Sequence, residues 1–308
     1  MENAKEIISM IKLMPVKELA KLGDCFRKKY IGSEIEICGI FNAKNGKCSE
    51  DCKFCAQSAH YPVEISEYPL RTKSEILRAA RIAEKNGATR FGIVTSGRRL
   101  SSEEIRVIAS AVREIVRKCD ILPCASLGAL TVKDFEVLKQ AGLSRYHHNL
   151  ETSKRFYSRI VTTHTYEERI NAISNAKQAG LEVCSGGIFG IGESWQDRVD
   201  LALLLNKLGV NSVPLNFLVP IKGTPMEKFQ NISQDEAIRI IVLFRILLKN
   251  TTLKVIAGRE AVFGADQHSI YTSGANGMMI GGYLTTSGQL PERDQLLIEK
   301  VRVLWNKE

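Results

Sequence analysis

Eight short runs of β-branched and apolar residues recur along the chain, each parted from the next by a longer amphipathic stretch, and this alternation limits the fold more than any other feature. The runs are IEICGIF (35–41), TRFGIVT (89–95), ILPCASL (121–127), RYHHNL (145–150), EVCSGGIF (182–189), SVPLNFL (212–218), LKVIAG (253–258) and GMMIGG (277–282). Runs of this kind read as strands and the stretches between them as helices. Several helix ends are legible. Ser101 or Ser102 caps a helix that opens with Glu103 and Glu104, and TYEE (165–168) and SQDE (233–236) have capping-box spacing. Gly87, Gly142, Gly180 and Gly209 follow helix ends, and a last helix falls near 291–305. Strict strand and helix alternation demands right-handed crossovers and a parallel sheet, and eight such units fit a closed (β/α)8 TIM-type barrel. The expectation is one domain over 1–308, with residues 1–30 as an amino-terminal helical cap. Chemistry in such a barrel gathers at the carboxyl ends of the strands.

Composition removes several other classes. With 44% hydrophobic and 25% charged residues, the chain is neither disordered nor a disulfide-rich miniature. No apolar run approaches the roughly 20 residues that span a bilayer, and MENAKEIISMIKLM has no signal-peptide pattern, so a cytoplasmic location is expected. Eight cysteines in a reducing compartment are not expected as disulfides, and close clustering argues for metal or redox work. The net charge of +9 comes from Lys and Arg dispersed along amphipathic helices, with no basic run interleaved with aromatics. Nucleic acid is therefore not the expected partner, whereas a small anionic substrate is compatible.

The cysteines in CSEDCKFC, Cys48, Cys52 and Cys55, lie a few residues past the first strand, on the chemical face of the barrel. Their spacing suits three corners of a cubane iron-sulfur cluster and leaves the fourth iron open. A structural zinc site would want a fourth ligand nearby, for which His60 is available. The C-x3-C-x2-C loop, with the aromatic Phe54 before its last cysteine, resembles that of the radical S-adenosylmethionine (SAM) superfamily. The resemblance implies a 4Fe-4S cluster whose free iron holds SAM, which one electron cleaves to methionine and a 5′-deoxyadenosyl radical. GGIFGIGE matches further, with Gly186, Ile188, Gly190 and Glu193 at the superfamily's adenine-approaching spacing and Gly187 between them.

A narrower resemblance runs through most of the chain. NGKCSEDCKFCAQSAHY, GATRF, HHNLETS, TTHTYEERI, VCSGGIFGIGE, SVPLNFLVPIKGTP, AGRE and SGANGMMIGGYLTT stand in the order and spacing of the biotin synthase family. The part from about 220 to 308 resembles the region shared by biotin- and thiamin-synthesis radical enzymes. Membership implies a sulfurtransferase that converts dethiobiotin to biotin with sulfur from an auxiliary iron-sulfur cluster, 2Fe-2S or a larger cluster with an extra sulfide. The expected partners are dethiobiotin, an electron donor such as flavodoxin or ferredoxin, and a second copy of the chain in a homodimer. By the same resemblance Asn149, Glu151 and Arg169 contact SAM. Asn149 and Asn216 bond the ureido ring of dethiobiotin, His147 stands where the family often has Asn, with a substrate contact or a packing role as the two readings, and Arg90 lines the auxiliary pocket. Radical enzymes of hydrogenase maturation or pyrrolysine biosynthesis, or an iron-sulfur carrier without catalysis, are the alternatives.

The auxiliary cluster of the family takes three strand cysteines and an arginine. Cys124, Cys184 and Arg259 match, but TRFG places Gly92 where TRFC would place the third thiolate. Cys38, on the neighbouring first strand about 4.8 Å away, is therefore the candidate substitute. A small buried core residue is the alternative for Cys38, and it is the reading given to Cys25 and Cys119.

Overall fold

The computed structural model describes residues 2–46, 48–284 and 288–306. Lys47 of the cysteine loop, and Thr285 and Thr286 of the SGANGMMIGGYLTT stretch, fall outside the described residues. Among the described residues nine strands run parallel: β1 (Glu36–Lys44), β2 (Arg90–Thr95), β3 (Leu122–Ser126), β4 (Arg145–His147), β5 (Glu182–Cys184), β6 (Gly187–Phe189), β7 (Ser212–Phe217), β8 (Thr252–Val255) and β9 (Gly277–Met279). β5 and β6 are two halves of the single run expected over 182–189, so the barrel has eight staves. It closes because β1 pairs with both β2 and β9, and β7 with both halves of the broken stave.

The break has a local cause. Asn149 Oδ1 accepts from the Gly186 N–H at 3.2 Å, and the N–H groups of Leu150 and Glu151 donate to the Gly186 carbonyl at 3.1 and 3.0 Å. The loop after β4 thus takes the backbone bonds that a continuous strand would make. A Cβ at Gly186 would lie 2.0 Å from the Pro214 carbonyl oxygen, so no other residue fits there.

Register shows how the barrel closes. Counting from the bottom, the third residues of neighbouring strands face each other across four seams: Cys38 and Met279, Gly92 and Cys124, His147 and Cys184, Pro214 and Lys254. Across the other four seams the third residue faces a first residue: Cys38 and Arg90, Cys124 and Arg145, Cys184 and Ser212, Lys254 and Gly277. Each of these is a slip of two residues, and four slips give the shear of eight that fills such a barrel with side chains.

The expected caps hold the outer helices. Ser101 and Thr165 form reciprocal capping boxes with Glu104 and Glu168, and Ser233 accepts from the Glu236 N–H. Gly87, Gly142, Gly180 and Gly209 have φ between 58° and 102°. The final helix is Pro291–Asn306, and the amino-terminal pair, Glu2–Leu13 and Val16–Tyr30, packs on the outer helices Trp195–Leu208 and Gln234–Leu247. No described helix is long and apolar enough to cross a membrane.

Candidate active site: two groups of thiols in one barrel

The loop after β1 folds back on itself through backbone bonds. Cys48 N–H donates to the Gln57 carbonyl at 2.6 Å, Ala59 N–H to the Cys48 carbonyl at 2.8 Å and Cys55 N–H to the Cys52 carbonyl at 2.9 Å. The three sulfurs of Cys48, Cys52 and Cys55 thereby share one field, and Phe54 packs against the core. Burial pushes the Cys52 thiol up to about 12 and the Cys55 thiol up to about 11, so unliganded they stay protonated. Binding to iron is the ordinary way to ionise such thiols.

A second segment clamps this loop. Asp51 accepts from the N–H groups of Thr162 and Thr163 at 2.8 and 3.1 Å, and Glu50 from the Thr163 hydroxyl at 2.8 Å, with His164 Nδ1 2.7 Å from the same carboxylate. Although burial opposes it, the bonds from Thr162 and Thr163 lower the Asp51 carboxyl to about 2. His60 turns a ring nitrogen to the Ser49 carbonyl at 3.0 Å. Among the described residues no three His, Cys, Asp or Glu side chains converge as the ligands of a single metal ion do.

Beside the loop lies Arg169. Its Nε donates to the Tyr157 hydroxyl at 2.6 Å, its Nη1 to the Asn149 carbonyl at 2.8 Å, and Nη1 is 3.7 Å from Glu151 Oε1. Glu151 is the only non-glycine residue with positive φ among those described, at 69°, and burial raises its carboxyl against the pull of Arg169. Such a backbone is costly and is kept where its surroundings hold it. The Ile188 N–H donates to the Glu151 carbonyl at 2.8 Å, joining Glu151 to the stretch Gly187, Ile188 and Gly190. Glu193 accepts from the Gly190 and Ile191 N–H groups at 3.1 and 2.9 Å and from Arg198 Nε at 2.7 Å, folding the glycine loop. Asn216 bonds the Gly187 carbonyl at 3.1 Å and the Ala257 N–H at 3.2 Å, tying β6 to β7 and to the loop after β8.

Deeper in the barrel, Cys38, Cys124 and Cys184 are the third residues of β1, β3 and β5 and are all buried. The Cys38 sulfur bears electrostatically on both of the others. Burial, with Cys38 adding to it, pushes the Cys124 thiol up to about 12; burial also raises Cys184, against Lys254 and Arg145. His147, also a third residue, has no partner for its buried Nε2, and burial beside Lys254 and Arg145 lowers it to about 3, so the ring is neutral.

Below them lies a charged floor built from first residues. Glu36 accepts from Arg90 Nε and Arg145 Nη1, both at 2.7 Å, and pairs with Lys254; Glu182 accepts from Arg145 Nε at 2.9 Å and lies 3.0 Å from Arg90 Nη2. Burial disfavours the Glu36 carboxylate, but Lys254 and Arg145 outweigh it and hold the group well below the usual range. Arg90 and Arg145 on this floor, with Lys254, a third residue like the thiols, set three cations against the two carboxylates, an excess of positive charge suited to an anionic cluster.

Arg259 is placed differently from the expectation. Its guanidinium pairs with Asp294 at 2.6 Å and Glu260 at 3.2 Å, with the Tyr271 and Tyr283 hydroxyls in its field, a set that shares no residue with the floor under the thiols. The cause is its position: it opens the helix Arg259–Phe263 after the strand has ended, whereas Lys254 lies within β8 and points inward. Lys254 was missed by sequence reasoning, as were Glu36, Arg145 and the Asp51 clamp. Charged residues inside apolar strand runs, two positions from Cys38 and from His147, were the available signal.

A model of the Radical SAM superfamily matches residues 44–205, and one of the Biotin and Thiamin Synthesis associated domain matches residues 214–302. Methylornithine synthase (PylB) shares the fold with a TM-score of 0.81 over 98% of this chain and 92% of its own, at 18% identity. The FeFe-hydrogenase maturase HydG from Carboxydothermus hydrogenoformans does so at 0.77 over 97% and 78%, at 19% identity. The biotin synthase of Thermotoga petrophila is 50% identical over 272 residues, 88% of this chain and 91% of that protein. That of Acetivibrio thermocellus is 42% identical over 311 residues, 98% and 97%. Barrel and cysteine loop are those of the radical SAM superfamily, which works with a 4Fe-4S cluster and SAM. Within it, the chain belongs to the biotin synthase family.

Proposed function

We propose that this chain converts dethiobiotin to biotin by radical sulfur insertion, with Cys48, Cys52 and Cys55 holding the SAM cluster and Cys38, Cys124 and Cys184 holding an auxiliary cluster. The carrying observation is the second trio of buried thiols on β1, β3 and β5, with Lys254 beside Cys38 and the Arg90, Arg145, Glu36 and Glu182 floor below, in a chain of this family. When bound, the first cluster with SAM supplies a carbon-centred radical, and the second supplies sulfide. The residues do the rest.

Arg169, held by Tyr157 and the Asn149 carbonyl, presents a fixed charge for the SAM carboxylate. Glu151 accepts from ribose hydroxyls, and the backbone of Gly187, Ile188 and Gly190 lies along the adenine, with Phe54 shielding the loop. Asn149 and Asn216 match a urea group by group, their orientations set by the bonds to Gly186 and Gly187. His147, neutral and with Nε2 unpartnered, offers the substrate a hydrogen bond without a charge. The packed barrel keeps water from the radical and holds the target carbon between the two thiol groups. A flavodoxin- or ferredoxin-type donor supplies the electron, and the chain pairs as a homodimer.

Reduced, reconstituted protein incubated with SAM and dethiobiotin is expected to form both 5′-deoxyadenosine and biotin. Deoxyadenosine without biotin would point to a barrel radical enzyme of another specificity. Neither product, with iron bound, would point to a carrier.

A further inference from the structure

Lys254 is among the most deeply buried cations of the molecule, with a side chain 1% exposed. Its Nζ lies 3.0 Å from the Cys38 sulfur and also pairs with Glu36, the residue two positions before Cys38 on the same strand. The ammonium is thus held between the Glu36 carboxylate and the Cys38 sulfur. The register explains the reach: Lys254 and Cys38 both flank β9, Lys254 opposite Gly277 and Cys38 opposite Met279. Gly277 leaves room for the lysine stem, since a Cβ there would come within 2.7 Å of Lys254 Cγ.

We propose that Lys254 is a positioning residue for the auxiliary cluster. It does not ligate iron, being an ammonium without a lone pair. Fixed by Glu36, it donates a charged hydrogen bond to the Cys38 sulfur, which draws electron density from the cluster at that corner and makes it easier to reduce. The proposal rests on the reading that Cys38, Cys124 and Cys184 hold that cluster. It goes beyond the reading in assigning an electrostatic role to a residue that touches neither substrate nor iron.

The test compares wild type, K254R and K254M, each reconstituted anaerobically. The midpoint potential of the auxiliary cluster is followed by spectroelectrochemical titration, and its iron-sulfur stretching modes by resonance Raman in H2O and after reconstitution in D2O. K254M is expected to shift the midpoint to more negative potential and to lose deuterium sensitivity in a cysteinyl iron-sulfur mode, while K254R recovers most of both. A K254M midpoint equal to wild type, or a K254R shift as large as that of K254M, overturns the proposal. Should K254M fail to load, the wild-type spectrum decides: absence of any deuterium-sensitive cysteinyl mode overturns it equally. Wild type that binds iron for one cluster only would instead overturn the reading beneath it, which iron and sulfide analysis separates from the other outcomes.

Discussion

Cys38 faces Arg90 across the seam between the first two strands, and it is Ile40 that faces Gly92. A Cβ on Gly92 would lie 3.2 Å from Ile40 Cγ2, a tight contact that the isoleucine would relieve by giving a few tenths of an ångström. A thiol supplied by Cys38 therefore enters from one step deeper in the barrel than one at 92 would. Any cluster held by Cys38, Cys124 and Cys184 sits against Lys254 and the charged floor.

Substitution of Cys38 by Ala is expected to lower iron and acid-labile sulfide to the content of one cluster per chain, while Cys48, Cys52 and Cys55 keep theirs. Deoxyadenosine formation should persist and biotin formation should fall to background. Unchanged iron and sulfide would return Cys38 to the role of a small core residue.

Glu36 is the joint acceptor of Arg90, Arg145 and Lys254. Glu36→Gln leaves three buried cations short of one charge, and removing one partner of a buried ion pair costs about 3 kcal/mol. Anaerobic urea unfolding is the measurement, and an unaltered transition midpoint would show that the floor contributes nothing. The sign with pH follows from the depressed carboxyl. The stabilisation is fully present above the unfolded value of about 4.3 and drains away as pH falls towards the folded one.

Asp51 ties the cysteine loop to Thr162 and Thr163, and its carboxyl is lowered to about 2. Its contribution is complete above pH of about 4 and is lost as pH falls towards the folded value. Asp51→Asn keeps the shape but weakens the charge-assisted bonds, at a cost of about 1 kcal/mol for a group partly open to solvent. The expected readout is faster loss of iron to a chelator at neutral pH, with the overall fold retained by circular dichroism. Chelation at the wild-type rate would mean that the clamp does not secure the loop.

Arg169→Gln removes the fixed charge proposed to meet the SAM carboxylate while leaving an amide near Tyr157 and Asn149. Loss of a largely buried charged contact predicts about 100-fold weaker SAM binding by calorimetry, equivalent to about 2.7 kcal/mol. Iron content should not change. Binding within a few-fold of wild type would place the SAM carboxylate elsewhere.

The eight strand runs, the capped helices and the three-cysteine loop could be read directly because each depends on residues close in sequence. A strand needs a local run of the right side chains, a cap needs a residue three positions from its partner, and the loop cysteines sit within eight residues. Resemblance carried the biotin synthase family with them, and it named Cys124 and Cys184. Which cation meets the thiols was another matter: the AGRE match points to Arg259, five residues past Lys254. One lies inside a strand and the other opens a helix, and that difference sends Arg259 to Asp294 and Lys254 to Cys38, 216 residues away in sequence. The clamp of Asp51 on Thr162 and Thr163 likewise joins segments 111 and 112 residues apart. By itself the sequence determined the staves of the barrel and the chemistry at its mouth. Only the closure of the barrel, with its two-residue slips at alternate seams, decided which inward side chains share a layer, because those contacts are set by shear between strands and leave no trace in local spacing.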